Sequence, residues 1–175
     1  MPIVRPGSTT PWLCRVRLRS EDILVPVMLA LLGAGATAQP TVAYAVVVSE
    51  DVPLTDITLD ELRRVFLLER IFWKPGRPVR LMLPATGQPA RNFLLERVCL
   101  RAEPEFRRHI LAALYRGDTD RPPKSVVSDA EALSIVAAVQ GSVALVSAEI
   151  PLRPGTRTVR VNGKLPSEPG YPLAP

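Results

Sequence analysis

The spacing of apolar and polar residues divides the chain into short alternating elements. Residues 42–48 are apolar throughout, which suits a strand covered on both faces. Val79, Leu81 and Leu83 alternate with Arg80 and Met82, the period of a strand. Residues 142–147 form a second continuous apolar run, and Val159 and Val161 flank Arg160 in a last strand over 156–161. Between these runs the period changes to that of a helix. Thr58-Leu59-Asp60-Glu61 is a capping box, and Leu59, Leu62, Val65 and Phe66 follow on one face, fading near Leu68. A second helix is predicted over 89–101, with Leu94/Val98 and Leu95/Cys99 four apart, ended by Glu103-Pro104. A third carries Phe106, Ile110 and Leu114 and stops at Gly117. Ser128-Asp129-Ala130-Glu131 reads as a second capping box, opening a helix through Val139 that Gly141 ends. Ile71-Phe72-Trp73, before the Lys74-Pro75-Gly76 turn, is expected to plug the sheet edge. Residues 118–123 read as a polar loop, and 162–175 as a proline-rich, loop-like tail. The pattern predicts an α/β fold: a mostly parallel sheet with flanking helices, opened by a right-handed strand–helix–strand unit over 42–83.

The first forty residues stand apart from this pattern. Arg5, Arg15, Arg17 and Arg19 precede a short apolar run over 23–32, and Ala36-Thr37-Ala38 has the small-x-small form of a cleavage site. This reads as a secretory signal peptide over 1–38, with the folded domain over 39–175 and a periplasmic or secreted destination. The run is too short to span a bilayer, so no stable membrane span is expected after cleavage. The whole chain has 175 residues and a formal charge of +5, and without the leader's four arginines and two carboxylates it carries +3. The remaining charges are interspersed, as on solvated helix faces, which argues against a nucleic-acid partner. Cys99 is the one cysteine beyond the leader and sits beside Val98 and Leu100, the setting of a small core residue.

Candidate chemistry concentrates in one stretch, residues 79–93. Pro84 ends the strand, Gly87 permits a positive φ, Gln88 stands at the N-cap position and Pro89 suits the first turn of a helix. Such a strand–turn–helix junction points backbone N–H groups and the positive end of the helix dipole at whatever lies over the turn, the arrangement that binds small anions. Thr86, Gly87 and Gln88 supply the turn, and Arg91, one turn in, could add a guanidinium fork. Other chemistry is absent from the sequence. His109 is the only histidine, so neither a metal site nor a Ser–His–Asp triad is expected, and there is no glycine-rich nucleotide loop. Asp60, Glu61, Asp129 and Glu131 are explained by helix capping. No cofactor and no enzymatic activity is expected.

Three segments together resemble the phosphate-binding periplasmic proteins of ABC transporters, and more closely short single-domain relatives of that family, with a type 2 periplasmic-binding-protein-like fold. The first is Thr58-Leu59-Asp60-Glu61-Leu62-Arg63-Arg64-Val65-Phe66-Leu67, followed by Trp73, Gly76 and the strand from Pro78. The second is Gln140-Gly141-Ser142-Val143-Ala144-Leu145-Val146, similar to the family's Pro-Gly-Ala-Ile-Gly-Tyr-Val. The third is Val161-Asn162-Gly163-Lys164-Leu165-Pro166-Ser167, closing on Tyr171-Pro172-Leu173. The resemblance implies a reduced, exported solute-binding-like domain that binds phosphate or a related small oxyanion at the Thr86–Arg91 turn, for ABC-type uptake. The family's phosphate loop runs from an Arg through Ser-Gly-Thr into a helix. Here Pro84 stands about where that Arg is expected, and Thr86-Gly87-Gln88 only loosely matches the rest. A second reading follows from that departure: a degenerate domain that binds no solute and serves as an interaction module for an envelope sensor or a transporter permease.

Overall fold

The computed structural model describes residues 42–119 and 121–174, and the signal peptide expected over 1–38 lies outside them. The centre is a five-stranded sheet of β1 (Tyr44–Ser49), β5 (Arg80–Pro84), β6 (Lys124–Val126), β7 (Ser142–Ser147) and β8 (Thr156–Thr158), in the spatial order β6-β5-β7-β1-β8. Short pairs complete the strand set: β2 (Asp56–Ile57) lies parallel to β9 (Arg160–Val161), and β3 (Phe72–Lys74) is antiparallel to β4 (Arg77–Pro78). The helices are α1 (Leu59–Phe66), α2 (Pro89–Phe93) continued by a π-helical segment (Leu94–Cys99), α3 (Glu103–Tyr115) and α4 (Asp129–Ala138).

The α/β class holds, but the sheet is mixed instead of mostly parallel. β5 pairs parallel with β6 and β7, whereas β1 pairs antiparallel with both β7 and β8. The expected right-handed unit over 42–83 therefore does not form, because β7 lies between β1 and β5. A continuous apolar run reports burial on both faces, and a central antiparallel strand meets that condition as well as a parallel one. All six residues of β1 are buried. On one face of the sheet Val46, Val48, Leu81, Leu83, Val143 and Leu145 join α1, the π segment and α3 in the larger core. On the other, Val47, Met82, Ala144 and Val146 pack with Ala132, Leu133 and Val136 of α4. The alternation in β5 is thus two apolar faces, not one apolar and one polar.

Local signals shaped the helices as chemistry requires. Thr58 Oγ1 accepts from the Glu61 N–H at 3.2 Å, and the Glu61 carboxylate accepts from the Thr58 N–H at 3.1 Å, which satisfies two otherwise bare donors. Ser128 caps α4 in the same way, but the Glu131 carboxylate accepts from the Val127 N–H, one residue earlier than a capping box requires. The predicted helix over 89–101 widens into the π segment after Phe93 and ends at Leu100 with φ of 51°. Glu103-Pro104 starts α3 instead of ending its predecessor, since proline is tolerated in a first helical turn. Ala113, not the half-buried Leu114, completes the buried face of α3 with Phe106 and Ile110. The strand expected over 156–161 breaks at Val159 into β8 and β9, which belong to different sheets. Trp73 is buried, whereas Phe72 is half exposed, so only one of the two aromatics plugs the structure.

The tail has no regular structure, yet it closes the larger core. Tyr171 and Leu173 are buried, and the Leu173 carbonyl accepts from the Tyr44 N–H at 3.1 Å. The Tyr171 hydroxyl is buried with no partner at full hydrogen-bond geometry, and burial pushes its pKa up to about 12 against the opposing pull of the nearby Val46 backbone. Tyr171→Phe is expected to change stability by less than about 1 kcal/mol, because the hydroxyl makes only a poorly aligned contact with the Val46 backbone. Tyr171→Ala is expected to cost about 3 kcal/mol or more through the cavity it leaves. Urea denaturation of the two variants checks both values.

Candidate functional site

The predicted anion turn lies where β5 leaves the sheet. The Ala85 N–H donates to the Val126 carbonyl at 2.8 Å, which ties the start of the turn to the edge strand. Gly87 has φ of 88°, a conformation that favours glycine, and Thr86 and Gly87 are exposed. The turn engages much of its own polar backbone. The Gln88 N–H donates to the Ala85 carbonyl at 3.2 Å, and the Arg91 and Asn92 N–H groups donate to the Gln88 carbonyl at 3.0 and 3.2 Å. The Gln88 side-chain amide donates to the Val127 carbonyl, so it braces the loop after β6. Pro89 has no N–H to offer. α2 carries no acidic residue in its first turn and no side-chain cap.

Arg91 is engaged elsewhere. Its side chain is 8% exposed, and its Nε and Nη2 donate to the two carboxylate oxygens of Glu103, each at 3.0 Å. The guanidinium lies 4.6 Å from the centre of the Phe106 ring, in cation–π range. Arg107 approaches the same carboxylate at 3.7 Å. The Arg91 hydrogen bonds hold the Glu103 carboxyl below its ordinary value, with the nearby arginine charges adding to the effect. The result is a bidentate pair that locks α2 to α3. Thr86, Gly87 and Gln88 thus share one surface turn, while the Arg91 guanidinium is committed to a carboxylate on the neighbouring helix. Sequence reasoning missed Glu103, which stands twelve positions from Arg91 on a different element and carries no local signal for the pairing.

Two hollows stand out among the described residues. One, of about 450 Å³, is an open depression over the β3–β4 hairpin at Phe72–Gly76. The other, of about 200 Å³, is a cleft between β5 and the loop before β6, lined by Leu68, Met82, Arg121 and Lys124 among others. Neither includes residues 86–91. Among the described residues no group of three or more histidine, cysteine or carboxylate side chains could hold a metal ion. Cys99 is buried, and burial pushes its thiol up to about 12, away from the thiolate that nucleophilic chemistry needs. His109 points Nε2 at the Leu67 carbonyl, 3.0 Å away, a structural contact between α3 and the end of α1.

No family model and no curated protein matches the sequence. Solved structures do share its fold. A phosphate ABC transporter substrate-binding protein from Clostridium perfringens, with bound phosphate, matches with a TM-score of 0.56 and 16% identity, over 70% of this chain and 46% of that one. An ABC-type phosphate transport receptor from Vibrio cholerae matches with a TM-score of 0.56 and 14% identity, over 72% and 49%. PstS from Borrelia burgdorferi matches with a TM-score of 0.57 and 15% identity, over 72% and 49%. At these identities the likeness is one of fold. The chain has a reduced form of the α/β architecture of these phosphate-transport binding proteins and spans about half the length of each.

Proposed function

We propose that this chain is an exported, solute-binding-protein-like domain that works through a protein partner in the cell envelope, an ABC-type permease or a sensor, and not by caging phosphate. One observation carries the reading: the Arg91 guanidinium, the charge that the turn would need as a clamp, is buried in a bidentate pair with Glu103. Freeing it would leave Glu103 without its main partner, so an anion would have to outcompete a preformed carboxylate. No catalytic role is part of this proposal.

A second reading keeps a shallow oxyanion site at Thr86, Gly87 and Gln88. The exposed turn, open to solvent and free of nearby acidic side chains on its own helix, favours it. Backbone N–H groups and the Thr86 hydroxyl would supply the contacts, each worth about 1 kcal/mol net. Thermal unfolding in increasing phosphate or sulfate separates the readings. A site with a dissociation constant a hundredfold below the phosphate concentration adds about 2.7 kcal/mol, several degrees in Tm for a domain of this size. The expected result is a flat Tm up to millimolar phosphate. A saturable rise that disappears in Thr86→Val would overturn the partner-only reading in favour of the turn.

A further inference from the structure

β5 and β6 run side by side and parallel, yet β5 feeds α2 on one face of the sheet and β6 feeds α4 on the other. In an open α/β sheet, the place where neighbouring connections part to opposite faces, outside the carboxyl ends of the strands, is the usual position of a ligand. Tyr44 and Asp129 flank this crevice. The Tyr44 ring lies 4.6 Å from that of Phe93 on α2. Asp129 opens α4, and one of its carboxylate oxygens accepts from the N–H of Ser147, the residue opposite Tyr44 in the β1–β7 ladder, at 2.8 Å. Tyr44 is 8% exposed, and its hydroxyl makes no hydrogen bond among the described residues. Burial and the Asp129 charge together hold that hydroxyl above its ordinary value. A tyrosine this deep normally gives its hydroxyl a partner, so an unpartnered one beside a carboxylate points to a ligand.

The charge at this end of the sheet sets the ligand class. The chain as a whole is basic, at +5. The segments that meet here, 42–44, 84–89, 126–131 and 147–150, carry Asp129, Glu131 and Glu149 but no lysine or arginine. Arg91, one turn into α2, is held by Glu103, and Lys124 of β6 lines the cleft beside the preceding loop instead. Asp129, Glu131 and Glu149 form no ion pair among the described residues. The positive end of α4 offsets part of the charge of Asp129 and Glu131, but Glu149 follows β7 and stands on no helix. An oxyanion entering the crevice therefore meets negative charge. We propose that the crevice binds a small ammonium-bearing solute. The second Asp129 oxygen accepts from the ammonium, the Tyr44 hydroxyl oxygen is a further acceptor, and Phe93 walls the alkyl stem. A bare metal ion fits less well, since among the described residues no group of three or more histidine, cysteine or carboxylate side chains could hold one.

The test follows thermal unfolding of the full chain in putrescine and in ethanolamine, with the uncharged 1,4-butanediol as control, at constant ionic strength. The expected result is a saturable rise in Tm of several degrees with at least one ammonium probe and none with the diol. Asp129→Asn keeps an oxygen for the Ser147 N–H and should weaken binding at least about tenfold. Tyr44→Phe removes only the hydroxyl and should weaken it about fivefold. If Asp129→Asn fails to fold, Tyr44→Phe decides alone. A flat Tm with both ammonium probes, a rise shared by the diol, or a rise that survives the substitutions overturns the site. None of these outcomes touches the partner reading, which rests on Arg91 and is tested with phosphate.

Discussion

Gly141→Ala is expected to cost more than about 3 kcal/mol, or to prevent folding altogether. Gly141 follows α4 at the entry to β7, and its neighbours leave no room for a side chain. A Cβ there would lie 2.4 Å from the Pro78 carbonyl oxygen, a backbone atom that cannot swing aside. Its φ of 73° adds the usual left-handed strain of about 1–2 kcal/mol for any other residue. The position is also a junction. The Gly141 carbonyl accepts from the Arg80 N–H at 2.9 Å and from the buried Trp73 indole at 2.8 Å, and its N–H donates to Asp51 at 3.2 Å. Moving Gly141 to relieve the clash would disturb β5, the hairpin and the loop after β1 together. Gly87→Ala is the control. Its φ is 88°, but a Cβ there meets nothing within 4 Å, so only the strain of about 1–2 kcal/mol applies. Equal costs for the two variants in urea denaturation would remove the close approach to Pro78 as the cause.

Elements whose cause is local were legible along the chain. The Thr58 box, the apolar runs of β1 and β7 and the stop at Gly117 each depend on residues within four positions, and each stands where the pattern puts it. Strand direction was not legible, because β1 looks the same in either orientation and its neighbour β7 lies almost a hundred positions away in sequence. β6 escaped notice because Lys124-Ser125-Val126 is three residues long, with a single buried side chain. The π widening after Phe93 preserves the buried pairs Leu94/Val98 and Leu95/Cys99, so nothing in the apolar spacing betrays it. The turn at Thr86–Gln88 was likewise legible, from Pro84, Gly87 and Pro89. The fate of Arg91 was not. From sequence it is a cation one turn into a helix. In the fold it is the inner half of an ion pair whose other half starts the next helix.

That ion pair leads to the second large effect. Glu103→Ala is expected to destabilise the chain by about 3 kcal/mol at neutral pH, and Arg91→Met by clearly less. The asymmetry follows from what each change leaves behind. Removing Glu103 strands a guanidinium that is 8% exposed, pressed against Phe106, with no other carboxylate in contact among the described residues. Removing the Arg91 charge leaves a carboxylate that is 26% exposed and still has Arg107 nearby, while methionine keeps an unbranched stem against the ring. The double variant Arg91→Met/Glu103→Gln should cost less than the sum of its single changes, which a double-mutant cycle reads directly. The pair also sets a pH dependence. The Glu103 carboxyl titrates below its ordinary value of 4.5 in the folded chain, so its stabilisation is complete above that value and is lost as pH falls through the lowered one. Chemical denaturation from pH 7 downward should show wild type losing stability below about pH 4.5 more steeply than Glu103→Gln. Parallel acid profiles for the two proteins would mean that Arg91 does not depend on this carboxylate. The guanidinium would then be available to the turn, and the case against phosphate binding would lose its main support.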